Sequence, residues 1–352
     1  MRKISKADLP IKELVELIKE DFIKTDKLIK NQITSEVDRI PELSNHIISL
    51  GGKRLRPILT IACAKMLNTE NNHHIALAAA VELLHTATLL HDDVVDESYF
   101  RRGKETSHIL WDNKSSILVG DYLLGKAFQL MVKTGSLQCL ETLSNAAAII
   151  AEGEVLQLVA TNNINIKKSD YIKIIESKTA ALFSSACEVG GIISNSPSEI
   201  NKSLFSFGRN LGTSFQLIDD ALDYSGSSDN LGKNIGDDFY DGKITLPIII
   251  ALEKADENEK YIWKEIFQKK VRNEKDLIIV NNLIEKHKSI EKTIDLANKY
   301  GDDAKKAKEA QPACLAPRCQ WAARRPGFVA LVLEGSVEGG GGLARRVALR
   351  AA

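Results

Sequence analysis

The chain is poor in several things that would place it quickly. Its five cysteines, Cys63, Cys139, Cys187, Cys314 and Cys319, contain no C-x-x-C pair and no zinc-type spacing. Neither a structural zinc site nor a disulfide framework is expected, and buried or free thiols are the default. No run reaches about 18 consecutive apolar residues, so no membrane-spanning helix is expected. The opening stretch, residues 1–10, lacks the apolar core of a secretory signal, and a cytoplasmic protein is expected. Strand-like alternation is scarce. Apolar positions instead recur at intervals of three and four, as in residues 11–19, and 44% hydrophobic content is ample for a core. These features predict an all-α helical bundle, with room in 352 residues for one or two domains.

Two aspartate clusters of identical spacing stand out, Asp92-Asp93-Val94-Val95-Asp96 and Asp219-Asp220-Ala221-Leu222-Asp223. In each, the outer carboxylates are four residues apart and share one face of a helix. Residues 81–91 before the first cluster hold neither glycine nor proline, and residues 212–218 before the second hold no proline. A single D-D-x-x-D is commonplace at helix ends and on solvated faces. Two, each on an apolar helix, point to Mg²⁺, which favours hard oxygens and shares its coordination sphere with substrate phosphates. Neither cluster has the alternating ligands, central glycine and terminal glutamate of a calcium loop.

Basic residues complete the pattern. Gly51-Gly52-Lys53-Arg54-Leu55-Arg56-Pro57 precedes the first cluster and Arg101-Arg102-Gly103 follows it. Arginine forks match phosphate oxygens in pairs, and lysine adds a point charge. Taken alone, Arg101-Arg102 reads as solvated surface or a nucleic-acid patch; beside a carboxylate cluster, it reads as part of a site for a metal-bridged anion. His85 lies two helical turns before Asp92 on the same face, which fits a phosphate contact, whereas a structural role is expected for His91.

In these segments the chain resembles the trans-isoprenyl diphosphate synthase family, most closely its long-chain bacterial members. The resemblance runs through G-G-K-R-L-R-P at 51–57, L-L-H-D-D-V-V-D-E-S at 89–98, R-R-G-K at 101–104 and L-V-G-D-Y-L at 118–123. It continues through A-E-G-E-V-L-Q-L at 151–158, S-K-T-A-A-L-F at 177–183, G-T-S-F-Q-L-I-D-D-A-L-D-Y at 212–224 and G-K-N-I-G-D-D at 232–238. It implies an isoprenoid-synthase-type bundle around a central active-site cavity, pairing as a homodimer.

The resemblance also assigns roles. Mg²⁺ would join an allylic diphosphate, farnesyl diphosphate by preference, to Asp92, Asp96 and Asp219, with Asp93, Asp220 and Asp223 as further ligands or support. Isopentenyl diphosphate would sit on Lys53, Arg56, His85 and Arg102, and Arg101 would face the allylic diphosphate. Lys178, Thr179 and Gln216 match positions near the reacting carbons, and Lys233 and Lys243 match basic positions that close over the diphosphate. Ala87 and Thr88, small where short-chain relatives carry bulky aromatics, imply a long product, octaprenyl diphosphate for quinone side chains. No nucleic-acid partner is implied, and membrane contact is at most transient, for product delivery. A terpene cyclase shares the first motif but mixes Asn, Ser or Thr and Glu in the second and lacks the 51–57 segment. A catalytically impaired or partner-dependent subunit of a heteromeric synthase is the remaining alternative, although such subunits generally lose aspartates that are intact here.

The family pattern holds over residues 1–310, and residues 311–352 break it. This tail has no Lys, Ile or Asn, and its six Arg and two Glu leave 41 basic and 45 acidic residues in the remainder. Gly339 to Gly342 reads as a flexible linker. A frameshift, readthrough or fusion accounts for both the composition break and the lost match; a basic tail touching acidic lipid headgroups is the other reading.

Overall fold

The computed structural model describes residues 14–225 and 236–309; Lys233 and the tail 311–352 lie outside the described residues. Helices follow one another almost without interruption: α1 (Lys19–Gln32), α2 (Arg39–Ser49), α3 (Leu55–Met66), α4 (His73–Val95), α5 (Ser107–Leu110), α6 (Asn113–Lys133), α7 (Leu137–Ala160), α8 (Lys168–Ile175), α9 (Ala181–Ile192) and α10 (Ser198–Ser225). After the undescribed segment come α11 (Asp237–Tyr240), α12 (Leu246–Lys254), α13 (Glu257–Phe267), α14 (Glu274–Lys286) and α15 (Ser289–Glu309). The fold is the all-α bundle expected.

Local chemistry sets many of these boundaries. Side chains of Asp112 and Ser136 accept from the N–H groups of Ser115 and Cys139, capping α6 and α7. Reciprocal capping boxes, Asp256 with Glu259 and Asn273 with Asp276, start α13 and α14. Pro247 occupies the first turn of α12, where its missing N–H costs no hydrogen bond. Among the described residues the only strands are Phe100–Arg101 and Lys104–Glu105, β1 and β2, paired antiparallel. Arg102 (φ 53°) and Gly103 (φ 76°) between them adopt the left-handed backbone of a tight hairpin turn.

The two aspartate helices are the inner ones. Helix α4 is buried over most of its circumference by Leu77, Ala79, Leu83, Ala87 and Leu90, among others, and packs most extensively on α6. Helix α10 packs on α9 and α15, and α9 also touches α4. Three apolar clusters result: one around α4, α6 and α7, one around α3, α9 and α10, and one joining the end of α10 to α12–α15. Cys63, Cys139 and Cys187 are buried free thiols within them. By length and composition, α4 and α7 would each suffice to cross a bilayer; α4 is mostly enclosed by the fold, α7 far less so.

Between α8 and α9 the chain widens into a π-helical turn, Glu176–Ala180, that carries Lys178 and Thr179. Two glycines let neighbouring helices press against it. A Cβ on Gly153 of α7 would lie 2.9 Å from the Lys178 nitrogen, and one on Gly212 of α10 would lie 2.7 Å from the Ala180 Cα. Gly212→Val is therefore expected to cost about 1–3 kcal/mol through overpacking against rigid backbone. Thermal unfolding checks this: Tm should drop by several degrees, and an unchanged Tm would mean that the π turn yields freely.

Candidate active site

The first aspartate cluster ends α4. Asp93 is buried, and its Oδ1 accepts from both Nε and Nη2 of Arg101 at 2.8 and 2.7 Å, while its Oδ2 lacks a hydrogen-bond partner. Asp92 and Asp96 are half-buried on the open side. The Lys243 ammonium donates to Asp96 Oδ2 at 2.9 Å and to Asp241 Oδ2 at 3.0 Å.

The second cluster lies in the last two turns of α10. Asp220 is buried; one oxygen accepts from the Tyr171 hydroxyl and the other from Gln216 Nε2 at 2.7 Å. Gln216 Oε1 in turn accepts from Thr179 Oγ1 at 2.8 Å. Asp223 accepts from the Asp238 N–H at 3.3 Å, which ties helix α11, just before Lys243, to this motif. Lys178 donates to Glu154 at 2.7 Å. Tyr171, Lys178, Thr179, Gln216, Asp220 and Lys243 all line one cavity of about 110 Å³.

Negative charge is in excess here. Burial pushes Asp92 up to about 7, against Lys178 and with help from Glu154 and Asp96. Burial likewise pushes Asp220 up to about 8, with the Asp238 charge adding to it. Burial disfavours the Lys243 ammonium, but Asp238, Asp96 and Asp241 outweigh it and raise the group above its ordinary value.

A basic cluster lies alongside. Gly52 (φ 157°) leaves room for the Arg102 guanidinium, since a Cβ there would lie 3.0 Å from Nη1. Arg54, in the left-handed region at φ 51°, donates to Glu82 at 2.5 Å. Arg56 lies 4.5 Å over the Phe183 ring, and burial lowers it to about 10 against the pull of Glu82. Burial first, then the charges of Arg56, Arg101, Arg102 and Arg54, hold His85 well below the ordinary histidine value. A neutral imidazole among guanidinium groups is suited to donate one N–H to an anion held by the others. Lys53 is exposed. His91 is occupied structurally: it covers Gly120, where a Cβ would lie 2.2 Å from Nε2, and sits 3.1 Å from the Ile117 carbonyl.

The polyprenyl synthetase family model matches residues 37–284. The chain belongs to this family. It is 46% identical over 242 residues to the octaprenyl diphosphate synthase of Escherichia coli K12, covering 69% of this chain and 75% of that enzyme. The fold superposes on a crystal structure of a decaprenyl diphosphate synthase from Rhodobacter capsulatus with a TM-score of 0.84 at 45% identity, covering 97% and 99% of the two chains. It superposes on a polyprenyl synthase from Caulobacter crescentus CB15, crystallised with calcium and isoprenyl diphosphate, with a TM-score of 0.85 at 42% identity, covering 93% and 97%. The chain is thus a trans-polyprenyl diphosphate synthase, a prenyltransferase.

Within the synthase, the structure brings Lys178, Thr179, Gln216, Asp220 and Lys243 to one cavity. Arg101 pairs with Asp93 here rather than standing free. Ala87 is 2% exposed in the apolar cluster beneath the first motif, and Thr88 is half-buried with its hydroxyl on the His85 carbonyl. Tyr171 and Glu82, outside every quoted role, and Glu154 and Asp238, within the 151–158 and 232–238 motifs but given no role there, support the named residues; no spacing rule links the four to their partners. Among the described residues, no three His, Cys, Asp or Glu side chains converge into a ready-made metal cage. The donor set nevertheless fits a hard divalent cation, because half-buried Asp92, Asp96, Asp219 and Asp223 flank a cavity lined by Asp220, Asp238, Lys178 and Lys243, and hard oxygen donors suit such an ion.

The raised carboxyls carry a stability signature. A carboxyl at about 8 when folded and at its ordinary value when unfolded binds more protons in the folded state between those values. Through Asp220, stability of the metal-free protein falls as pH rises through that window, whereas His85, held neutral, contributes the opposite sign below its ordinary value. The chain's Tm should therefore fall relative to that of Asp220→Asn between about pH 4 and 8, and the difference should shrink when Mg²⁺ and inorganic diphosphate are added together. A Tm difference that rises across that window would contradict the assigned charge balance.

Proposed function

We propose that the chain extends an allylic diphosphate, farnesyl diphosphate by preference, with successive isopentenyl diphosphate units to octaprenyl diphosphate, a quinone side-chain precursor, using Mg²⁺. The observation carrying this reading is the linkage of the two aspartate motifs beside one cavity: Lys243 reaches Asp96 of the first while Asp238, on the short helix α11 just before it, is tied to Asp223 of the second. Asp92, Asp96 and Asp219 would hold the metal, with Asp93, Asp220 and Asp223 supporting or adding to the set. Bound Mg²⁺ supplies charge that stabilises the departing diphosphate.

The chain's own groups do the rest. Arg101, Lys178, Lys233 and Lys243 attract the allylic diphosphate and hold it after the carbon–oxygen bond breaks. The Lys178 carbonyl, the Thr179 hydroxyl and the Gln216 amide oxygen turn their negative ends toward the allylic cation. The hydrogen bonds from Thr179 to Gln216 and from Gln216 to Asp220 set which end of the amide faces which neighbour. Lys53, Arg56, neutral His85 and Arg102 hold isopentenyl diphosphate, whose double bond forms the new carbon–carbon bond; the released diphosphate takes the proton that leaves. Residues 1–310 form the catalytic unit, with 311–352 outside it.

Exposed apolar residues on α6 and α7, among them Leu118 (66%), Leu137 (81%) and Val159 (77%), support a homodimer through that face. The reading includes a cytoplasmic enzyme with transient lipid contact and no nucleic-acid partner. Ala87 and Thr88 leave the path beneath the first motif open to a growing chain.

Radiolabelled isopentenyl diphosphate, farnesyl diphosphate and Mg²⁺ should yield a product ladder ending near C40, and omission of metal should abolish it. No elongation by the purified chain would overturn the reading, and product formed only with a second protein would make it a partner-dependent subunit. Ala87→Phe should shorten the ladder to short-chain products; an unchanged distribution would remove Ala87 from control of length.

A further inference from the structure

We propose that Arg272, remote in sequence from both aspartate motifs, is a positioning residue that sets the reach of Lys243 into the site; this rests on the role given to Lys243 above. Arg272 lies between α13 and α14 and is 8% exposed. Its Nη1 donates to the Tyr240 carbonyl at 3.1 Å and its Nη2 to Asn162 Oδ1. The guanidinium packs 4.8 Å from the Phe267 ring centroid and 5.7 Å from that of Phe239.

Asn162, from the loop after α7, closes the arrangement. Its backbone N–H donates to the Gly242 carbonyl at 2.9 Å. Gly242 is left-handed at φ 77°, and a Cβ there would lie 2.4 Å from Asn162 Oδ1, so only glycine fits. Three segments distant in sequence are thereby tied at the carbonyls of Tyr240 and Gly242, just before Lys243. The Lys243 N–H then donates to the Asp238 carbonyl at 2.9 Å, and its ammonium reaches Asp96 and Asp241.

The energetics favour a directional role. Burying a guanidinium is costly, and an apolar side chain between two phenylalanines would fill the same space without that penalty. The Arg272 Nε has no hydrogen-bond partner in its buried position, so the site is not built to satisfy the whole group. What the guanidinium supplies is a planar fork with two donors at fixed angles, one on each loop. Those directions hold the backbone from which Lys243 projects.

The test uses steady-state kinetics on the full chain with Arg272→Met, Lys243→Ala and the double variant. Arg272→Met should raise KM for the allylic diphosphate about tenfold and leave KM for isopentenyl diphosphate unchanged. In the Lys243→Ala background it should have no further effect, because the group it positions is gone. Arg272→Lys, which keeps the charge and loses the fork, should show the same split at smaller size and guards against misfolding of the methionine variant. Independent, multiplying effects of the two substitutions, or equal rises in both KM values, would reduce Arg272 to a packing residue. Amide hydrogen exchange separates failure of this proposal from failure of the function: even without elongation by the wild type, Arg272→Met must speed exchange at Lys243, and unchanged exchange overturns the clamp.

Discussion

Excess negative charge at the ends of two inner helices is the constraint on which the rest of the structure depends. Carboxylates at the ends of α4 and α10 are held out of water beside further negative charge, and burial first, then that charge, makes Asp92 and Asp220 hold protons above their ordinary range. Protein cations offset part of this: Arg101 on Asp93, Lys243 on Asp96, Lys178 on Glu154. In the proposed function, the remainder is the driving force for taking up metal and diphosphate. On that reading, the charge proposed to bind substrate is a cost to the fold without it.

Holding such a site together demands rigid packing around it. Gly153 and Gly212 let α7 and α10 meet the π turn backbone to backbone, and the apolar clusters on either side lock α4 and α10 in place. Because helices rather than loops carry most of the aspartates, their relative positions are set by the core. Lys243, in the loop after the short helix α11 that carries Asp238, is secured instead by hydrogen bonds from Asn162 and Arg272.

The aspartate clusters, the glycine-arginine segment and the helical class were legible in the sequence because each is a local pattern with a fixed period. Tyr171 was not, because it meets Asp220 across 49 residues of chain, and Glu154 was not, because it meets Lys178 across 24. The π turn escaped because helical periodicity carries no signal for one widened turn. Asp93 illustrates a subtler limit: the pattern left it open between ligand and support, and rotation around α4 turns it inward onto Arg101. The tail and Lys233 lie outside the described residues, so their part of the reading rests on sequence alone.

The central claim is that the two aspartate motifs act as one site, completed by the substrate's own diphosphate. Calorimetric titration of Mg²⁺ into the protein, with and without a non-reacting farnesyl thiodiphosphate, tests it most directly. Binding should be weak alone and much tighter with the analogue, and either Asp92→Ala or Asp219→Ala should remove the tight phase. Tight binding without the analogue, or a tight phase that survives loss of Asp219, would contradict the account.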